Sequence, residues 1–147
     1  MSRSTDEIID DLNRFDGFRG AWSVLNDLVN ELKTSPAPAK GTDALLGVFE
    51  RHPGATSGGG VFWPILHTLE SLPGFETHLI DSVRRVPAIF TVMMVNRLLN
   101  SGVTWVRTDS LLRLLEDALG NPRTLRIVKE EIESVLQRHR SRLDKRR

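Results

Sequence analysis

At 147 residues the chain can bury one core but not two comfortable ones. A composition of 39% hydrophobic and 27% charged residues excludes wholesale disorder, and a net charge of +1 gives no global pull towards nucleic acid or membrane. With no cysteine, a disulfide framework, a thiolate metal site and a cysteine nucleophile are all excluded.

The first residues, Met1 to Glu7, lack the apolar region of a secretory signal. Thr5-Asp6-Glu7 then suits a helix start, where acids meet the positive end of the dipole. Ile8, Ile9, Leu12 and Phe15 recur at helical spacing, and Gly17 and Gly20 break or bend the run. A second helix carries Trp22, Leu25, Leu28, Val29 and Leu32 as one stripe. Residues 35–41 read as a linker, because Pro36 and Pro38 cannot sit inside a helix.

Thr42-Asp43 reads as the cap of a third helix, Ala44 to Arg51, stopped by Pro53-Gly54. Residues 53–60 form a Gly-rich stretch expected to be flexible. Helical periodicity resumes with Phe62, Ile65, Leu66 and Leu69, with Pro64 tolerated in a first turn. Pro73-Gly74 is a turn. A further helix holds Leu79, Ile80 and Val83 and stops at Pro87. From Ile89 to Leu99 the chain is apolar nearly all round, which predicts a central helix, closed by Gly102 as a C-cap glycine. The longest apolar stretch, Ala88 to Val95, is far short of a membrane span. Asp109 is read as the cap of a helix with Leu111, Leu112, Leu114, Leu115 and Leu119. The last helix starts at Arg123, buries Leu125, Val128, Ile132, Val135 and Leu136, and frays into a basic tail, residues 138–147.

The expected fold is therefore a single all-α domain, residues 1–147, of about seven or eight helices. The helices form hairpins, stacked HEAT-like or packed as an irregular bundle. An internal echo supports stacking: Leu46…Phe49-Glu50, Leu66…Leu69-Glu70 and Leu112…Leu115-Glu116 each place a glycine four residues past the glutamate.

Candidate chemistry is sparse. His67 and Glu70 share a helix face, and His78 or Glu76 could extend the pair, yet three or four ligands are needed for a tight metal site. Ser57-Gly58-Gly59-Gly60 is followed by Val61-Phe62 rather than the Lys-Ser/Thr of a phosphate loop. Asp10-Asp11, Glu116-Asp117 and Glu130-Glu131 sit on solvated helix faces with no sign of pKa tuning. No catalytic residue, cofactor or metal is assigned, and an enzyme is not expected. The basic tail has no aromatics for base stacking, so a solvated helix end is preferred to a nucleic-acid site. Trp63, Trp105, Phe62 and Phe75 are the candidates for a binding surface, with Phe75 favoured because it follows a turn.

The stretch from Gly60-Val-Phe-Trp-Pro through Leu69-Glu-Ser-Leu-Pro-Gly-Phe-Glu76 to Asn96-Arg-Leu-Leu-Asn100 resembles small all-α immunity proteins of bacterial polymorphic toxin systems, of the contact-dependent inhibition and Rhs types. The resemblance covers residues 58–102. It implies a cytoplasmic protein that neutralises one cognate toxin by stoichiometric binding, without nucleic acid, membrane or a small-molecule ligand. Glu70, Phe75, Glu76, His78 and Asp81 are the expected partner-binding residues, and Asp6, Glu7, Asp10 and Asp11 the alternative acidic face. Two rival readings are a helical adaptor or regulatory subunit, and a metal-dependent helical enzyme using His67 and Glu70.

Overall fold

A computed structural model describes residues 3–17, 22–56 and 60–145, with side chains described as far as Arg142. Gly20, Ser57 to Gly59 and the last two arginines, all named above, lie outside the described residues. Eight α-helices are seen among the described residues: α1 Thr5–Arg14, α2 Trp22–Lys33, α3 Thr42–Arg51, α4 Phe62–Ser71, α5 Phe75–Arg85, α6 Ile89–Asn100, α7 Leu111–Leu119 and α8 Arg126–Lys145. Two short strands, β1 Trp105–Val106 and β2 Asp109–Ser110, pair antiparallel between α6 and α7.

The helices pair as hairpins, α1 with α2, α3 with α4, α5 with α6 and α7 with α8. Their packing decides between the two expected arrangements. Odd-numbered helices pack in order, α1 on α3, α3 on α5 and α5 on α7; even-numbered helices do the same from α2 to α8. This is a two-layer stack of four hairpins, the architecture of an α-solenoid. The apolar helix α6 touches α3, α4, α5, α7 and α8, as its composition predicts, and buries Ile89, Phe90, Val92, Met94, Val95 and Leu99. An aromatic cluster fills the space between the middle hairpins: Phe90 stacks on Phe49 at 5.2 Å and meets Phe62 edge-on at 5.3 Å.

The glutamates of the echo have one use in common. Glu50 of α3 binds Arg85 of α5 through both oxygens, at 3.1 and 3.0 Å. Glu70 of α4 binds Arg97 of α6 in the same way, at 2.8 and 2.9 Å. Each pair ties one hairpin to the next within its own layer. Glu116 of α7 pairs with Arg140 of α8 at 2.8 Å, within the last hairpin. The echo glycines share no such role. Gly74 sits at φ +74° before α5, Gly120 closes α7 with ordinary right-handed backbone, and Gly54 has no positive φ. The echo therefore marks inter-helix pairing by glutamate, not a repeated cap.

Several boundaries differ from the sequence expectation. Ser4 caps α1, accepting from the Glu7 amide at 3.2 Å. Residues 35–41 are not a loose linker: Ser35 and Gly41 are buried, Pro38–Gly41 forms a 3₁₀ turn, and the Ala37 amide donates to Thr5 Oγ1 at 3.2 Å. Thr42 and Asp43 lie inside α3 and do not cap its start; the Thr42 hydroxyl donates back to Ala39 O at 2.7 Å. Asp109 belongs to β2, and Ser110 caps α7 by accepting from the Arg113 amide at 3.3 Å. The last helix begins at Arg126, and Leu125 is 46% exposed instead of buried.

Candidate functional site

Of the four aromatic candidates, packing removes two. Phe62 is wholly buried, and Phe75, the favoured anchor, is only 7% exposed and lies in the core. A large apolar residue after a Pro-Gly turn is here simply the first core contact of α5. Trp63 is exposed at 41%, though its ring rests edge-on against Phe90 at 5.2 Å. Trp105 is 62% exposed, more than any other large apolar side chain among the described residues.

The segment that carries Trp105 is built residue by residue. Helix α6 ends in a Schellman turn: Gly102 adopts φ +94°, its amide donates to Leu99 O at 3.1 Å, and the Val103 amide donates to Leu98 O at 3.0 Å. The chain then turns back on itself, with Trp105 opposite Ser110 and Val106 opposite Asp109. Strand alternation sends Val106 onto the core and Trp105 outward. Arg107 makes the tight turn at φ +56°, the left-handed region that costs a side-chain-bearing residue about 1 kcal/mol. Its guanidinium lies 3.7 Å from Asp81 and 3.8 Å from Asp109.

Two further contacts fix the hairpin to the stack. Asp109, whose side chain is 19% exposed, pairs with Arg84 of α5. The Asn121 side chain donates to Arg84 O at 3.0 Å and holds the far end of α7 against the same helix. Trp105 is thus presented by a short, charge-pinned hairpin rather than by a free loop.

The expected partner-binding residues scatter about this hairpin. Asp81 is brought to it directly, through Arg107. His78 shares the outer face of α5 with Asp81, and its Nδ1 lies 2.9 Å from Asp43 Oδ1 on α3. Glu76 is half-buried and has no ion pair among the described residues. Glu70 belongs to the other layer and is committed to Arg97, with His67 Nδ1 at 4.0 Å. No group of three His, Cys, Asp or Glu side chains that could hold a metal exists among the described residues. Of the alternative acidic face, Asp11 pairs with Arg3 and Glu7 is taken up in the α1 cap.

Sequence reasoning treated Trp105 only as one aromatic among four. The only signal around it is a break, Val103 to Thr108, between two runs of helical period. Comparison with known proteins adds no relative. No family model, curated protein or solved structure matches the chain. No helix among the described residues is long and apolar enough to cross a membrane.

Proposed function

We propose that this chain acts by binding one protein partner stoichiometrically, and that the partner is a bacterial toxin which it neutralises in the cytoplasm. The observation that carries the binding reading is Trp105, 62% exposed on a hairpin pinned to α5 by Arg84–Asp109 and Arg107–Asp81. Leaving a tryptophan in water forfeits the burial of a large apolar surface, and tryptophan is enriched among residues that dominate interface energetics. Pinning removes much of the ordering cost that a free loop would meet on binding. The mixed charges around it, Asp81, Arg84, Arg107 and Asp109, supply a polar rim.

The toxin as partner rests on the resemblance of residues 58–102 to immunity proteins. The two-layer stack supports the adaptor reading equally well, since such scaffolds commonly serve as binding surfaces. One experiment separates them. The chain is co-expressed with the product of the neighbouring gene, the complex is isolated, and growth is followed with and without this chain. A one-to-one complex together with rescued growth supports neutralisation. A complex without growth inhibition to relieve supports the adaptor. Absence of any complex removes the toxin assignment.

A further inference from the structure

We propose that the cavity at the C-terminal end of α6 is a binding site for a short-chain monocarboxylate. The cavity, about 110 Å³ between α6, the start of the Trp105 hairpin, α7 and α8, opens to solvent on the side where Asn100, Thr104 and Arg142 are exposed. Leu99 and Leu112 give it apolar wall, and Asn100, Thr104, His139 and Arg142 give it polar wall. A water needs about 10–15 Å³ of such space, so the cavity has room for a ligand of the size of acetate or butyrate.

The polar wall is rich in donors. Arg142 Nη1 donates to Asn100 Oδ1 at 3.0 Å, which occupies the amide oxygen and leaves the Asn100 NH₂ group to donate. The remaining guanidinium donors of Arg142 meet no carboxylate among the described residues. Arg3, Arg84, Arg85, Arg97, Arg107, Arg113, Arg126 and Arg140 each pair with an acid, and of the described arginines with no such pair only Arg142 lines this cavity. His139 is only 7% exposed, and its Nε2 is spent on Asn96 Oδ1 at 2.8 Å. Burial, followed by Arg142 and Arg138, holds its pKa below the ordinary value, so it lines the cavity as a neutral ring.

One full positive charge against neutral donors matches a single negative charge. A guanidinium fork fits the two oxygens of a carboxylate, and the leucine wall fits a short aliphatic tail. The negative end of the α6 dipole opposes an anion, but it amounts to about half a charge. The Leu98 and Leu99 carbonyls are also already bonded, to Ser101, Gly102 and Val103. The whole charge of Arg142 prevails. Nothing in the spacing of these residues along the chain betrays the site, because Asn100 and Arg142 are 42 residues apart.

The test is a titration of the full chain with sodium acetate and sodium butyrate, followed by amide chemical shifts at constant ionic strength, with sodium chloride as the reference. Saturable shifts centred on Gly102, Thr104 and His139, absent with chloride, are expected. Arg142→Gln should weaken binding at least about tenfold, and Thr104→Val should weaken it less, while Arg138→Gln leaves it unchanged. Shifts that fail to saturate, that chloride reproduces, or that survive Arg142→Gln would overturn the assignment. If Arg142→Gln loses the native spectrum, the comparison passes to Arg142→Lys, which keeps the charge but not the fork. Undiminished binding by that variant would also count against the site.

Discussion

Glu50 Oε2 accepts from the buried Ser82 hydroxyl at 2.8 Å while the same carboxylate grips Arg85. The Glu70–Arg97 pair has like geometry but no buried hydroxyl depending on it, and Glu70 is more exposed than Glu50. Removing the two acids should therefore have unequal effects. Glu50→Ala strands Ser82, which is 0% exposed, and should cost about 1–3 kcal/mol. Glu70→Ala loses a partly solvated pair and should cost about 1 kcal/mol or less. Urea unfolding of both variants checks the order, and equal losses would mean that Ser82 finds another partner.

Charge reversal on the expected partner face has to be read with these pairs in mind. Glu70→Lys sets a second cation against Arg97 and should lower the Tm by itself, so a loss of binding in that variant is ambiguous. Glu76→Lys breaks no ion pair among the described residues but sets a cation in the first turn of α5, and should lower the Tm by no more than about 4 °C. Glu76 is thus the cleaner probe of that face, and its melting curve, measured beside that of Glu70→Lys, tests the difference.

Stability should fall as pH drops below the ordinary histidine value of 6.5, because two histidines are held below it in the fold. His52 is lowered first by burial and then by Arg51, with Asp16 opposing. His139 is lowered by burial, Arg142 and Arg138. For a depressed pKa the unfolded chain binds the proton more readily, so stability is whole above the unfolded value and is lost as pH falls towards the folded one. Carboxylate effects enter lower, below 4.5, where Glu31 is held down by its hydrogen bonds from Arg3. His52 Nε2 is buried without a hydrogen-bond partner among the described residues, and its ring packs edge-on to Trp22 at 5.4 Å. His52→Phe should therefore keep the Tm at pH 7.5 and flatten the decline between pH 6.5 and 5. A decline of unchanged slope would place the proton uptake elsewhere.

Gly41 is a packing requirement. A Cβ there would stand 2.6 Å from Leu32 Cδ2 and 2.8 Å from its Cδ1, and Leu32 is wholly buried. Gly41→Ala should cost about 1–3 kcal/mol through overpacking. An equally stable variant would show that Leu32 can change rotamer within the core.

Much of the fold was legible in the chain because its signals were local. The stripes Leu25–Leu28–Val29–Leu32 and Ile89–Leu99 place their helices by period alone, and Pro87 separates α5 from α6. What was not legible depended on tertiary contact. Residues 35–41 read as a linker from two prolines, yet the hydroxyl of Thr5, 32 residues away, holds that turn at Ala37. Phe75 looked free because its neighbours are turn formers, but core packing is invisible to a window of that size. The Trp105 hairpin has two-residue strands. That is too short for a period-2 pattern to declare itself, and Arg107 stands where a turn of that kind favours glycine or asparagine. Aspartate at 109 and serine at 110 are both good caps, and only the strand pairing assigned the role to Ser110.

The binding of the partner protein to Trp105→Ala, measured by calorimetric titration beside the unaltered chain, tests the central claim most directly. The hairpin is held by Val106, Arg84–Asp109 and Arg107–Asp81, so the variant should keep its Tm. Its affinity should fall by about thirtyfold or more, the loss of about 2 kcal/mol that marks an interface anchor. Unchanged affinity in a correctly folded Trp105→Ala chain would contradict the account and move the interface away from the hairpin.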